Sequence, residues 1–445
     1  MSEIAKDEPG SGSNRRPWTG NLIQNAVALM VSSGGVAGLG VVFWATAAHL
    51  ATTQEVGRAS AEIVAMSLLA NLAQLSFTTI FDRFLPVTGN RTRVFVTRAY
   101  AMCTFAALLA AIVYMLAGFG HGFIPSPLGW RALFVAAVIL WTIFVLQDSV
   151  LTGLRATRWV PVENILFSMS KIALLPAFLL VTSGQGLFLA WTVPVVAATA
   201  AVSWYLFRKR IPTHEASKPS SEKFPSTREL ISLGIGQYAT SLVSTLRGSI
   251  IALIVIARLG PVAEAHYYLP ALIAGGGVSM LLWNLVTSFL VEASNDPKEL
   301  RQHANVTIRA GIVVLVPSMA VGVAFAPEIL RIFGESYATH GTTLLRMLLL
   351  ALPGSAITAF YYSMAWLDRR VWWMAGRELV SSVIYFAIVL ACIGHVGILS
   401  AGIAALVSSM LQGAFFLPIS IRRYRAIAHS DDPETRTGTT PEATS

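Results

Sequence analysis

The chain has 445 residues, of which 55% are hydrophobic and only 12% are charged, and its mean hydropathy is +0.64. Soluble domains carry about a quarter charged residues, so this composition excludes an ordinary soluble protein and indicates one whose solvent is lipid. The net charge of +9 does not indicate a nucleic-acid partner, because the positions of the charges follow membrane topology.

Apolar runs of the roughly 20 residues that cross a bilayer as one helix recur almost from end to end of the sequence. We therefore predict an all-α polytopic membrane protein with twelve transmembrane helices. The predicted spans are 22–47, 58–81, 97–118, 132–153, 162–182, 187–207, 232–257, 267–290, 306–326, 343–364, 376–396 and 399–420.

The lysine and arginine residues test this count, because cytoplasmic loops of membrane proteins are enriched in them. With both termini inside, 25 of the 32 Lys and Arg residues fall on cytoplasmic segments and 5 on outer ones. This asymmetry predicts a multi-pass protein of the cell (inner) membrane with both termini cytoplasmic. The same basic segments predict contact with anionic membrane lipids.

The longest interior polar stretch, 208–229, is rich in Lys, Ser and Pro and follows the sixth span. It divides the spans into two sets of six. The predicted segments are a disordered cytoplasmic N-terminal tail (1–19), an N-lobe (20–207), a cytoplasmic linker (208–229), a C-lobe (230–425) and a disordered cytoplasmic C-terminal tail (426–445).

A short repeat relates the two sets of spans. Leu50 ends the triplet Ala-His-Leu and is followed five residues later by Glu55, as Leu259 ends Ala-Arg-Leu and is followed by Glu264. The offset between the copies is 209 residues. An even number of spans separates them, so we predict two pseudo-symmetric six-helix lobes of the same orientation.

Five stretches of sequence and one lysine carry a resemblance to a known family. The stretches are 47–61, which contains Glu55-Val56-Gly57-Arg58, then 84–86, 147–155, 158–161 and 333–337, and the lysine is Lys171. Together they resemble polysaccharide-biosynthesis (Wzx-type) flippases of the multidrug/oligosaccharidyl-lipid/polysaccharide exporter superfamily, over most of residues 20–425. The resemblance implies a central cavity between the lobes, lined mainly by the first two helices of each. It also implies movement of lipid-linked saccharides across the inner membrane.

Two cations fall deep within predicted spans, away from the ends, where a Lys or Arg costs roughly 2.5–3.5 kcal/mol on insertion scales. Lys171 lies near the midplane of the fifth span and Arg247 in the outer half of the seventh. Ammonium and guanidinium groups donate charge-assisted hydrogen bonds to phosphate oxygens, so both are predicted to bind the diphosphate of a lipid-linked substrate. The alternatives are an internal salt bridge and snorkelling to an interface.

Further polar residues on the spans are candidates for binding or gating. Arg83 ends the second span and falls opposite Glu292 at the repeat offset, so the two are predicted to pair as an inner gate, with Arg83 also meeting the substrate. The alternative for Arg83 is a positive-inside anchor. Gln74, Gln237 and Asn284 are predicted sugar contacts, although hydrogen bonding between helices fits them equally.

Two acidic residues are candidates for coupling transport to an ion, and a glycine cluster is a candidate for a hinge within a helix. Asp148 and Glu163 are candidates for ion coupling, with pairing to Arg155, Arg158 or Lys171 as the alternative. Gly275-Gly276-Gly277 is the hinge candidate, since glycine lowers helix rigidity, with close packing of helices as the alternative.

The predicted function is a flippase that moves a polyprenyl-diphosphate oligosaccharide across the membrane by alternating access, with glycosyltransferases or polymerases of the same pathway as further partners. No catalytic constellation, metal-binding histidine pair or phosphate-binding Gly-rich loop occurs, so neither an enzyme nor a cofactor is predicted. One alternative is a cation-coupled small-molecule exporter, although 22–47 contains no Asp or Glu. A membrane glycosyltransferase or polymerase would need a large outer loop, which the sequence lacks. A non-transporting scaffold for envelope polysaccharide assembly remains open.

Overall fold

The computed structural model describes residues 18–182, 184–217, 227–279, 300–367 and 371–430, together with positions 282, 285, 286 and 289. In a few helical stretches, 18–33 among them, only the backbone is described. Within these ranges the chain is helical and forms no strand. Nine helical stretches of the described residues are long and apolar enough to span a membrane. The predicted all-α polytopic fold is confirmed, whereas the count of twelve and the lobe boundaries stay predictions.

The first half of the chain contains eight helices. They are α1 (Trp18–Leu50), α2 (Thr53–Ala73), α3 (Phe77–Phe84), α4 (Thr92–Leu116), α5 (Leu128–Gly153), α6 (Trp159–Val181), α7 (Gly186–Tyr205) and α8 (Ile211–Ser217). The second half contains eight more within the described residues. They are α9 (Thr227–Leu259), α10 (Pro261–Ile273), α11 (Leu300–Ala324), α12 (Ala326–Arg331), α13 (Glu335–Leu350), α14 (Leu352–Leu367), α15 (Val371–Val396) and α16 (Leu399–Ser430).

The helix bounds follow the repeat. Both α1 and α9 have 33 residues, and their ends at Leu50 and Leu259 differ by the predicted offset. Different local interactions start the two helices that follow, α2 and α10. At α2, Glu55 N–H bonds Thr52 Oγ1 at 3.3 Å and Thr52 N–H bonds Glu55 Oε2 at 2.8 Å, which forms a capping box. At α10, Pro261 occupies the first helical turn.

The second predicted span, 58–81, is not one continuous helix. α2 ends at Ala73, and α3 begins at Phe77 after two residues with left-handed backbone, Leu75 (φ 48°) and Ser76 (φ 63°). A left-handed residue other than glycine costs roughly 1–2 kcal/mol, so surrounding packing must hold this break in place. A second irregularity lies at the glycine cluster, where 274–278 forms a π-helical turn after α10.

Part of the predicted linker is also helical. α7 passes through a π turn, Leu206–Arg210, into α8. α8 is held against the start of α4, because His214 Nδ1 lies 3.0 Å from Thr92 Oγ1 and Glu215 Oε1 accepts the Arg93 N–H at 2.8 Å. We call this end of the bundle the linker end, and the end with the α1–α2 and α9–α10 turns the tip end.

The two halves of the chain meet along α2, which packs against both α9 and α10. The largest hydrophobic cluster combines side chains of both halves, including Val56 and Met66 on α2, Leu269 on α10 and Phe333. A cavity between the halves would therefore lie beside α2 and α9.

Candidate functional site

Lys171 lies on α6 in an aromatic box and is only 4% exposed. Its Nζ lies 3.7 Å from the ring centre of Trp191, 5.0 Å from that of Phe167 and 5.1 Å from that of Phe43 on α1. A cation–π contact is worth about 2 kcal/mol or more when the cation is desolvated. The rings therefore offset part of the cost of burying this charge, and α1 closes one side of the box.

Asp148 and Glu163 lie in the same half and do not pair with Lys171. Asp148 Oδ2 accepts a hydrogen bond from Asn164 Nδ2 at 3.3 Å. Asp148 Oδ1 and both Glu163 carboxylate oxygens are buried without a partner among the described residues. The ion pairs of the described part join neither acid to a cation. These neighbouring carboxylates thus form an acidic pair with unused acceptors, which suits binding of a cation or proton.

Arg247 joins a polar network of the second half. Its Nη1 lies 3.0 Å from Glu378 Oε1 on α15 and 3.4 Å from Ser381 Oγ, and its guanidinium carbon lies 5.1 Å from the ring centre of Tyr385. Tyr362 on α14 donates to the other Glu378 oxygen at 3.4 Å. The side chains of Arg247 and Glu378 are 25% and 20% exposed. The arginine therefore has an internal partner and keeps some accessible surface.

A polar cavity of ≈200 Å³ lies at the break between α2 and α3, against α9. Ser76 Oγ is buried there and has no partner among the described residues. Gln74 Nε2 donates to Asn71 Oδ1 at 3.1 Å. Tyr238 of α9 donates to the carbonyl oxygen of Leu72 at 3.0 Å, which joins the two halves. The lining residues are Asn71, Leu72, Gln74, Ser76, Thr78, Thr79, Tyr238, Leu242 and Thr245.

Nearer the tip end the halves are in direct backbone contact. A Cβ added to Gly57 on α2 would lie 1.7 Å from the carbonyl oxygen of Pro261 and 3.1 Å from the backbone nitrogen of Ala265. Beside it, the rings of Trp44 and Tyr268 lie 4.8 Å apart. Only glycine permits this approach, so Gly57 allows the halves to close at the tip end.

The remaining predicted residues fall at the linker end or outside the described residues. Arg83 is exposed at the end of α3, with its guanidinium carbon 5.2 Å from the ring centre of Phe84. Asn284, Glu292 and the side chain of Gln237 lie outside the described residues. Of the predicted sugar contacts, Gln74 is thus placed in the polar cavity.

Some buried polar residues are not among those predicted from the sequence. Glu62 is 2% exposed, and the side-chain amide of Gln185 lies 3.2 Å from both of its carboxylate oxygens. Glu264 is fully buried, and neither carboxylate oxygen has a partner within the described part of the chain. The run from Gln74 to Thr79, with four polar residues in six, was the signal that could have located the cavity.

The fold and these clusters define a multi-pass helical membrane protein with a polar cavity between its halves and a buried polar cluster within each half. No family model and no curated protein matches the chain. Solved structures do. A transporter of the MOP superfamily from Pyrococcus furiosus, described as having a binding pocket of reverse polarity, aligns with a TM-score of 0.59 and 13% identity over 91% of this chain and 95% of that one.

Two multidrug-resistance MATE transporters of the MOP superfamily are also similar. One in an outward-facing conformation aligns with a TM-score of 0.59 and 14% identity, covering 90% of this chain and 95% of that one. One in an inward-facing conformation aligns with a TM-score of 0.56 and 13% identity, covering 88% and 96%. The chain therefore has the fold of MOP-superfamily transporters.

Proposed function

We propose that the protein is a flippase that translocates a lipid-linked oligosaccharide across the membrane by alternating access. The observation that carries the proposal is the polar cavity between α2, α3 and α9. Its polar lining consists of amides and hydroxyls, which donate to and accept from sugar hydroxyls. Lys171 and Arg247 lie outside this lining, and they are proposed as the ligands of the diphosphate, which Lys171 would reach by leaving its aromatic box. Alternating access is supported by similar transporters of this fold in outward-facing and inward-facing conformations.

A cation-coupled small-molecule exporter is the second candidate, favoured by the likeness to MATE transporters. A cationic drug needs a carboxylate or an apolar aromatic site, and no acidic residue lines the described cavity. The Pyrococcus transporter is itself described as having a pocket whose reverse polarity suggests a different function, so this fold alone does not select the substrate.

Reconstituted vesicles test the proposal directly. The probe is a fluorescent polyprenyl-diphosphate oligosaccharide in both leaflets, with a membrane-impermeant quencher added outside. We expect the protein to raise the rate of exchange between leaflets over that of protein-free vesicles. Exchange of a lipophilic cation with no exchange of the lipid-linked saccharide would favour the exporter. Exchange of neither probe would favour a non-transporting scaffold.

We also propose that Arg83 and Glu292 pair as an inner gate. Arg83 is exposed at the linker end and free to meet a partner from the other half. Each single charge reversal, Arg83→Glu or Glu292→Arg, should slow translocation, and the double reversal should restore it. A double variant as slow as the single ones would contradict the pairing and leave Arg83 as a topological anchor.

Asp148 and Glu163 are proposed to couple transport to a cation or proton gradient, because three of their four carboxylate oxygens are buried and lack partners in the described structure. In vesicles with an imposed Na⁺ or pH gradient, Asp148→Asn and Glu163→Gln should translocate at a rate that no longer responds to the gradient. Glu215→Gln, at a surface contact of α8, is the matched control and should respond as the wild type does. An unchanged gradient response in both acid variants would exclude coupling at this pair.

The proposed setting is the inner membrane, with both termini cytoplasmic and with glycosyltransferases or polymerases of the same pathway as partners. Reporter fusions at the two ends check the orientation. A C-terminal alkaline phosphatase that is active would place that end outside and overturn it. Co-purification checks the partners, with candidate glycosyltransferases tagged in the same membranes. Recovery of no tagged enzyme would contradict this partnership.

A further inference from the structure

A second cavity, of ≈240 Å³, lies at the linker end within the first half of the chain. It is bordered by the turn between α5 and α6, the 3₁₀ turn at Pro86, and the π turn that leads into α8, and it is open to the surface on its remaining side. Three basic residues, Arg155, Arg210 and His214, line it, and no acidic residue does. None of these residues belongs to the transport site described above.

The backbone conformation that places Arg155 at this cavity costs free energy. Arg155 has a left-handed conformation (φ 55°). Its N–H bonds the carbonyl of Thr152 at 2.9 Å and the next N–H, of Ala156, bonds that of Leu151 at 2.8 Å. This is the Schellman motif that ends a helix, with arginine at the position where glycine is the usual residue. A glycine there would be cheaper by roughly 1 kcal/mol, so stability alone does not account for the arginine.

Arg210 is fixed beside Arg155 in the lining of the cavity. Its Nη2 donates to the carbonyl of Leu154 at 2.7 Å, whereas its buried Nε has no partner in the described part of the chain. The nearest acid in sequence, Glu215, is engaged by the Arg93 N–H. Like charges that line one cavity repel unless an anion lies between them, and guanidinium groups bind phosphate oxygens with good geometry.

We propose that this cavity binds the phosphoryl group of an anionic phospholipid headgroup. Two exposed tryptophans near the cavity mark the depth of the membrane interface. Trp159 is 40% exposed and lies four residues after Arg155, and Trp204, 61% exposed, lies six residues before Arg210. Trp is enriched at that level, and basic pockets at the cytoplasmic level bind anionic lipid headgroups. The site is independent of what the protein transports.

Native mass spectrometry of the full chain in detergent tests the site, with phosphatidylglycerol and phosphatidylcholine as probes. The wild type should retain phosphatidylglycerol preferentially. The variants Arg155→Gly and Arg155→Gln/Arg210→Gln should reduce that retention about tenfold. The double variant Arg91→Gln/Arg93→Gln removes two exposed charges from the same end outside the cavity, and should retain the lipid as the wild type does.

Arg155→Gly separates binding from folding, because glycine suits the left-handed position. Its melting temperature should equal or exceed that of the wild type while lipid retention falls. Equal retention of both lipids by the wild type, or equal loss in the Arg91→Gln/Arg93→Gln control, would overturn the proposal. A rise in melting temperature with inorganic phosphate, without lipid selectivity, would assign the cavity to soluble phosphate and overturn the lipid headgroup as its occupant.

Discussion

Replacing Gly57 by valine is expected to stop translocation while leaving a folded protein in the membrane. An added Cβ would lie 1.7 Å from the carbonyl oxygen of Pro261, and no rotamer change relieves a clash with backbone. Overpacking of side chains alone costs roughly 1–3 kcal/mol. We expect at least about 3 kcal/mol against the closed tip end, which lowers its population roughly a hundredfold. Spin labels at Leu50→Cys and Val262→Cys, both exposed in the closed structure, should move apart.

Two other glycines are controls for the Gly57→Val variant. A Cβ on Gly311 meets nothing within 4 Å, so Gly311→Val should transport normally. A Cβ on Gly354 lies 2.2 Å from the carbonyl oxygen of Ser409, within the packing of α14 on α16 in one half. Because two helices of one bundle cannot separate without unfolding it, Gly354→Val should be lost from the membrane. If Gly57→Val behaves like Gly354→Val, the contact is structural and does not open during transport.

The contrast between these glycines also shows what the sequence can predict. The approximate positions of the helices follow from apolar runs, so α1, α9 and their relation by the 209-residue offset are readable from the chain, whereas the run that predicts one helix over 58–81 divides into α2 and α3. Gly57 and Gly354 look alike in sequence. Which of them crosses between halves depends on packing of segments far apart in the chain, which periodicity does not encode.

The interior sites show the same limit. Arg247 is recognisable as a costly charge within a span, but its partner Glu378 lies 131 residues away. The break at Leu75–Ser76 interrupts an apolar run that predicts one helix, and the cavity beside it depends on Tyr238 from the other half. Sequence reasoning therefore finds the residues that are expensive to bury, and packing decides what surrounds them.

Lys171 is the clearest example of a residue that is expensive to bury, and removal of its charge should slow transport below the rate that growth requires. Lys171→Gln and Arg247→Gln should each fail to complement a flippase-deficient strain while the protein remains in the membrane. One charge-assisted hydrogen bond is worth about 1.5–3 kcal/mol, so its loss slows translocation roughly ten- to a hundredfold. Normal activity of both variants would show that neither cation binds the transported substrate.

The alternative is that both cations only support the fold. In that case, removing either charge should lower the stability of the protein. Lys171→Met keeps the volume in the box of Phe43, Phe167 and Trp191 and removes a buried charge, a change that is often neutral or stabilising. A Lys171→Met protein that melts no lower than the wild type and yet does not transport would assign the ammonium to the substrate. For Arg247 the matched variant is Glu378→Gln, which breaks the same ion pair but keeps the cation. Because a structural pair suffers equally from either loss, transport that survives Glu378→Gln and fails in Arg247→Gln identifies the guanidinium itself as the phosphate ligand.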